Sequence, residues 1–190
     1  MTTKARDFKR GDCLSPTKLQ LLGNPIDFIH EDHMRERTIC ALLDTIAAAD
    51  DPNPEDAIRA QEFLREELPL HLEDEEQDLF PLLRRRCVPE YEIVKAIQQL
   101  IADHARAEDD TPRVIAILDL AQGATGRLSE DHRAMLSRYA GQARRHMILE
   151  NAIILPFAKL RLTAADIETL RLRMMQRRGL DRLMAPSNVD

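Results

Sequence analysis

Two segments of this chain carry the same spaced signature, His-x3-Glu-x5-Pro: His71, Glu75 and Pro81, then His146, Glu150 and Pro156. Upstream of each stands Asp-His-x-Arg, first as Asp32-His33-Met34-Arg35 and again as Asp103-His104-Ala105-Arg106. The order Asp-His, His-x3-Glu therefore runs twice along the sequence. In a helix, residues four apart stand one above the other on a single face. A chain that repeats this spacing brings its histidines and glutamates together when the segments are helices packed side by side.

The surrounding pattern agrees. Asn24-Pro25 is a helix-start signal, and Ile29, Ile39, Leu42-Leu43 and Ile46 follow at helical spacing until Asp50-Asp51-Pro52 stops the run. A second helix is predicted from about Pro54 to Arg86, with Pro69 and Pro81 inside it predicting a kink or a break. Val88-Pro89 makes the next turn. A third helix runs from about Pro89 to Gln122, with Thr111-Pro112 as a point of bending. Gly123-Ala124-Thr125-Gly126 is the clearest loop, and a fourth helix runs from about Arg127 to Leu160. Thr163 caps a fifth helix that Gly179 ends. Only six glycines and 4% aromatic residues, with no alternating apolar run, argue against a β fold. The expected class is all-α: an up-down-up-down four-helix bundle with an additional C-terminal helix. Its parts are an N-terminal arm over 1–24, the bundle over 25–160, and a C-terminal amphipathic helix and tail over 161–190.

Counting residues sets the height of each histidine. At ~1.5 Å per residue, His33 lies ~24 Å from the end of the first helix and His71 ~26 Å from the start of the second. The corresponding out-and-back distances for His71 with His104, and for His104 with His146, also cancel to within roughly one turn. Four histidines thus fall in one layer, two of them paired with a glutamate on the same face. Imidazole and carboxylate together suit iron, manganese or zinc, and two carboxylates are able to bridge a metal pair and offset its charge.

Other function classes are disfavoured. The formal net charge of −6 argues against a general nucleic-acid surface. Three cysteines without a Cys-x-x-Cys pair point to a reduced, cytoplasmic protein. The first 24 residues are basic without a following apolar run, so no secretory signal is expected, and no window is apolar enough to span a membrane.

The repeated motif resembles that of the hemerythrin family, the group with a His-His-Glu cation-binding domain, over roughly residues 25–160. That resemblance implies a non-haem di-iron centre, two iron ions bridged by carboxylate and oxide. The matching ligands are His33, His71, Glu75, His104, His146 and Glu150, with Glu75 and Glu150 as the bridging carboxylates. There are departures. The oxygen-carrying members have a second histidine four residues after the third-helix one, where this chain has Glu108, and their last carboxylate stands five residues after its histidine rather than four. Glu108 is therefore a candidate seventh ligand, with Arg37 as its first-helix counterpart. The resemblance implies a protein that binds or senses dioxygen, nitric oxide or related small oxidants. The alternatives are a di-iron oxidoreductase removing peroxide or nitric oxide, or iron handling. Its partner is then a small diatomic or peroxide ligand.

Some residues carry two readings. His30 competes with His33 for the first-helix position, and the Asp-His-x-Arg repeat favours His33. His132 has no carboxylate four residues on and reads as a surface histidine. Cys40 shares a face with His33 and reads as a core thiol before a redox group. Asp32 and Asp103 point away from their neighbouring histidines and read either as outer partners for the imidazoles or as arginine partners. Glu76 is expected on the surface with the rest of its acidic run, and Phe28, Phe63, Phe80, Tyr139 and Phe157 are expected in the core. The apolar stripe of the fifth helix is expected to pack on the bundle or on a second subunit. Its arginines suit a membrane surface or an acidic protein partner.

Overall fold

The computed structural model describes residues 15–87, 91–123 and 127–180. The first fourteen residues of the expected arm, the Val88-Pro89 turn, residues 124–126 of the glycine-containing loop and the tail from 181 lie outside the described residues. Within them every regular element is helical. After a 3-10 turn at Leu19–Gly23 come five helices: α1 (Pro25–Ala48), α2 (54–86), α3 (Tyr91–Ala121), α4 (130–161) and α5 (Ala164–Arg177). None of the helices is long and apolar enough to cross a membrane.

Of the kink or break expected at the internal prolines, the break does not occur, and α2 runs through with local changes of helical winding. Two π turns, Phe63–Glu67 and Asp74–Leu79, stand directly before Leu68-Pro69 and Phe80-Pro81. A third, Glu150–Ile154, stands before Leu155-Pro156 in α4. Proline lacks an N–H and its ring crowds the carbonyl of the preceding turn. A widened turn accommodates both defects without ending the helix. The proline of the His-x3-Glu-x5-Pro repeat thus marks a π turn that contains Glu75 in α2 and begins at Glu150 in α4.

α1 packs against α2 and α4, and α3 packs against the same two helices. The interior divides into two apolar clusters. One holds Ile39, Leu43, Phe63, Leu64, Val114, Leu118 and Leu136. The other holds Ile26, Ile29, Leu79, Phe80, Ile97, Leu100 and Ile154. On α1 His33 falls between Ile29 and Ile39, and on α3 His104 falls between Leu100 and Val114, so a polar layer separates the two clusters. Of the aromatic residues assigned to the core, Phe28, Phe63, Phe80 and Tyr139 are buried and Phe157 is half-buried.

Thr163 caps α5 as expected: its hydroxyl accepts from the Asp166 N–H at 3.2 Å, and Asp166 accepts in return from the Thr163 N–H at 2.9 Å. Gly179, at φ 68°, ends it, letting the Leu180 N–H reach back to the Met175 carbonyl at 2.9 Å. Leu170 and Met174 enter the second cluster, each worth roughly 1.5–3 kcal/mol of burial. Three arginines of the α5 segment are paired within the chain. Arg173 donates to Asp78 at 2.7 Å, Arg177 to Asp78 at 2.8 Å and also to Asp74, and Arg178 to Asp74 at 2.7 Å. Both aspartates are buried in α2 beside Glu75, so the basic face of α5 neutralises the outer side of the acidic run.

Candidate metal centre

All four histidines of the repeat meet in the polar layer, with both glutamates between them. Two overlapping groups form: His33 with His71, and His104 with His146, each completed by the same Glu75 and Glu150. Glu75 Oε1 lies 3.6 Å from His33 Nε2, while its Oε2 lies 3.6 Å from His71 Nε2 and 3.4 Å from His104 Nε2. Glu150 Oε2 lies 3.2 Å from His33 Nε2, and its Oε1 lies 3.0 Å from His146 Nε2 and 3.9 Å from His104 Nε2. Each carboxylate therefore reaches across both histidine pairs. The (i, i+4) spacing places each glutamate beside its own histidine, and the packing of α1 and α3 brings in the other two imidazoles.

The outward nitrogens follow the same internal two-fold pattern. His33 Nδ1 lies 3.2 Å from Asn151 Oδ1, and His104 Nδ1 lies 2.7 Å from Glu76. Asn151 and Glu76 are the residues immediately after Glu150 and Glu75. Asp32 approaches His71 Nδ1 at 3.5 Å, and Asp103 approaches His146 Nδ1 at 3.8 Å. Asn151 donates its own amide N–H to the Met147 carbonyl at 2.8 Å, which leaves Oδ1 to accept. Asn151 and Glu76 meet Nδ1 of His33 and His104 within hydrogen-bond distance, and Asp32 and Asp103 face Nδ1 of His71 and His146 at longer range, so the acceptors lie outward and the four Nε2 atoms turn inward.

That orientation defines what the centre can bind. Both oxygens of Glu75 and of Glu150, and Nε2 of His33 and His71, are buried without a hydrogen-bond partner. His104 Nε2 faces His146 Nε2 at 3.1 Å. Lone pairs facing one another at this range repel unless a cation or a proton stands between them. Protons supply part of the need. Burial alone lowers the pKa of His71, but Glu75 and Asp32 hold it well above the usual imidazole range. Burial lowers His33 too, and Glu150 and Glu75 more than reverse it. Burial opposes the Glu75 charge, yet His71 and His104 hold its carboxyl well below the usual range. Burial and the adjacent Glu75 drive Glu150 the other way, well above it. Imidazole nitrogens and carboxylates fit a borderline or hard divalent cation, and they are arranged here as two sites with shared carboxylates.

Six of the seven sequence-selected residues are brought together: His33, His71, Glu75, His104, His146 and Glu150. Glu108 is not among them and is exposed on α3, as its counterpart Arg37 is on α1. The position facing inward is three residues after the histidine, not four: Glu36 on α1 is buried, and Ala107 on α3 is half-buried and lines the same cavity. Glu36 was missed because only the (i, i+4) positions were compared, although (i, i+3) also lies on the shared face. Glu76, expected on the surface, is half-buried and accepts from His104. Its signal was its place beside Glu75, matched by Asn151 beside Glu150.

His30 stays outside both groups and directs Nδ1 to Asn151 at 3.1 Å. His132 is half-buried and takes part in the Ser129 cap of α4. Cys40 is buried in the apolar cluster, and burial with the nearby Glu36 charge pushes its thiol up to about 12, which removes the thiolate that redox chemistry needs. Phe80 stacks against the His104 ring at a centroid distance of 5.8 Å. The same imidazole also borders a cavity of about 40 Å³, with His146, Glu36, Leu72, Ala107 and Tyr139 in its wall. The Tyr139 hydroxyl meets Thr111 Oγ1 at 2.8 Å, and Thr111 donates onward to the Ala107 carbonyl at 2.6 Å. Thr111 therefore accepts from Tyr139, whose proton is directed away from the cavity.

Residues 24–158 match the family model described as the hemerythrin HHE cation binding domain. The comparison with curated proteins found no match.

Proposed function

The chain belongs to the hemerythrin HHE cation-binding family, and on that premise we propose that it is a di-iron protein that binds or senses dioxygen, nitric oxide or a related small oxidant. The observation carrying this reading is the reach of Glu75 and Glu150 across both histidine pairs, with their four oxygens buried and without hydrogen-bond partners. Donor sets that share two carboxylates suit a pair of cations ~3.5–4 Å apart. His33 and His71 would hold one ion, His104 and His146 the other, and the two glutamates both. The scaffold in this reading is an up-down-up-down four-helix bundle over 25–160, with α5 laid on its side.

When bound, two ferrous ions supply the electrons that a diatomic oxidant takes up. The protein's own residues do the rest. Asn151, Asp32, Glu76 and Asp103 keep the imidazoles in the metal-binding tautomer and limit their rotation. Leu72 and Tyr139 give the cavity largely apolar walls that restrict the water around the His104 and His146 side. Its size suits a molecule of two heavy atoms. Cys40 and Cys87 as buried thiols support a reducing, cytoplasmic setting.

The cavity also supports the second reading, an oxidoreductase that removes peroxide or nitric oxide, because it places the small molecule directly against the ligand layer. Metal analysis joined to anaerobic optical spectroscopy tests the main proposal. Close to two irons per chain and a new charge-transfer band on air exposure are expected. Protein from iron-supplied cells that holds no metal overturns it. A reversible oxygen adduct favours binding, and turnover of peroxide favours the oxidoreductase.

A further inference from the structure

Glu36 is the one carboxylate of the cavity that no other residue satisfies. It is 8% exposed, and no hydrogen bond or ion pair holds it among the described residues. The residue is largely covered, yet its carboxylate oxygens retain access to the cavity it lines, where a small molecule can meet them. Several of the other polar groups around the cavity are already engaged, and Gln142 and the Asp103-paired Arg106 also stand in its wall. Asp103 accepts from Gln99 at 3.0 Å and from Arg106, and it faces His146 Nδ1. Tyr139 has its proton on Thr111. His104 is tied to Glu76.

The internal symmetry of the chain explains the space. Glu36 stands three residues after His33, and the matching position three residues after His104 is Ala107. A large polar side chain faces a small apolar one across the layer, so one side of the centre keeps a void and a carboxylate at its wall. The void meets His104 and His146, the second of the two histidine pairs.

We propose that this cavity is the exogenous-ligand site and that Glu36 sets its selectivity, accepting a hydrogen bond from a small neutral molecule that carries an O–H, such as hydrogen peroxide, and repelling small anions. This rests on the metal centre proposed above. His104 and His146 would hold a metal able to receive one end of the ligand, and Glu36 accepts the hydrogen bond from the other end. Glu36 is a positioning residue that discriminates by charge. An anion entering the same space meets a like charge in a poorly hydrated wall, where repulsion is screened far less than in water.

The test uses full-length protein loaded with cobalt(II), whose visible bands respond to a new ligand without oxidation of the sample by azide. Azide is titrated into wild type, Glu36→Gln and Glu36→Leu. Affinity for azide is expected to rise about tenfold in both variants, since each removes the negative charge. With zinc-loaded protein and hydrogen peroxide, calorimetry is expected to show binding weakened about tenfold in Glu36→Leu and changed much less in Glu36→Gln, whose amide oxygen still accepts. Equal azide affinity in all three proteins, or azide bound by none of them, overturns the assignment of Glu36 while leaving the metal centre standing. Failure of all three to take up cobalt or zinc overturns the metal reading itself, and this inference falls with it.

Discussion

His104 donates from Nδ1 to the Glu76 carboxylate at 2.7 Å, whereas His33, in the equivalent place on α1, meets only the neutral amide oxygen of Asn151 at 3.2 Å. His71 and His146 each face an aspartate. The His104 and His146 pair therefore leans on two carboxylates, and the His33 and His71 pair on one carboxylate and one amide. A carboxylate behind an imidazole raises its basicity and its donor strength toward a cation. Two histidine pairs that carry the same repeated motif are made electrostatically unequal by the residues behind their outward nitrogens.

Metal uptake should therefore be biphasic. Glu76→Ala is expected to weaken the tighter phase by about 10–100-fold, the usual range for removing such an outer partner, and to leave the other phase near its wild-type value. Chelator-competition titration of metal-free protein reads both phases. Equal loss in both, or none, contradicts the asymmetry.

The ligand layer separates from its surroundings by substitution. His71→Ala and His146→Ala are expected to lose bound metal, each removing an inward Nε2. Glu108→Ala is expected to leave metal content and spectrum unchanged, because that side chain is exposed. Elemental analysis of the three variants decides, and a drop for Glu108→Ala would restore it as a ligand.

The pH dependence of stability should change sign on metal loading. In the metal-free protein His71 and His33 are held above the ordinary imidazole range and Glu150 above the ordinary carboxyl range. A raised folded pKa contributes stability below the unfolded value and loses it as pH rises through the folded value. The lowered Glu75 acts oppositely, losing its contribution only as pH falls below the carboxylate range. Burial lowers His146 and opposes the trend in the imidazole range, but the three raised groups outnumber it. Melting temperature of the metal-free protein is thus expected to fall from weakly acidic to alkaline pH. The loaded protein must shed those protons, so its melting temperature is expected to rise over the same interval until the ligands are deprotonated. Scanning calorimetry of both forms across that range checks the crossing.

α5 should be required for the stability of α2. Replacing Arg177 and Arg178 together by alanine strips Asp74 of both partners and leaves Asp78 with Arg173 alone. Breaking a buried ion pair from one side costs about 3–5 kcal/mol. Urea unfolding should show a loss of that order, and adding Asp74→Asn should recover part of it. A loss that Asp74→Asn does not reduce would mean that the arginines act by packing alone.

Much of the centre was legible because its determinants are local and additive. Helical rise is constant, so counting residues from each turn placed His33, His71, His104 and His146 in one layer. The (i, i+4) rule separated Glu75 from five polar neighbours in the same acidic run. The prolines were legible as defects but not in their outcome. Whether Pro81 breaks a helix or sits behind a widened turn depends on whether tertiary packing holds the segments on either side, as Leu79, Phe80 and Leu83 do in the second apolar cluster.

Alone, the order of residues determined the helices, the height of the polar layer and which four histidines and two glutamates meet in it, since each follows from spacing along one helix. Only the tertiary structure decided what stands between helices. Asp32 serves His71 on α2 rather than its neighbour His33, Glu76 serves His104 on α3, and Glu36 faces the cavity while Glu108 faces solvent. Those outcomes depend on how far each helix is rotated about its own axis. That rotation is set by all the side chains it buries at once, and no local spacing encodes it.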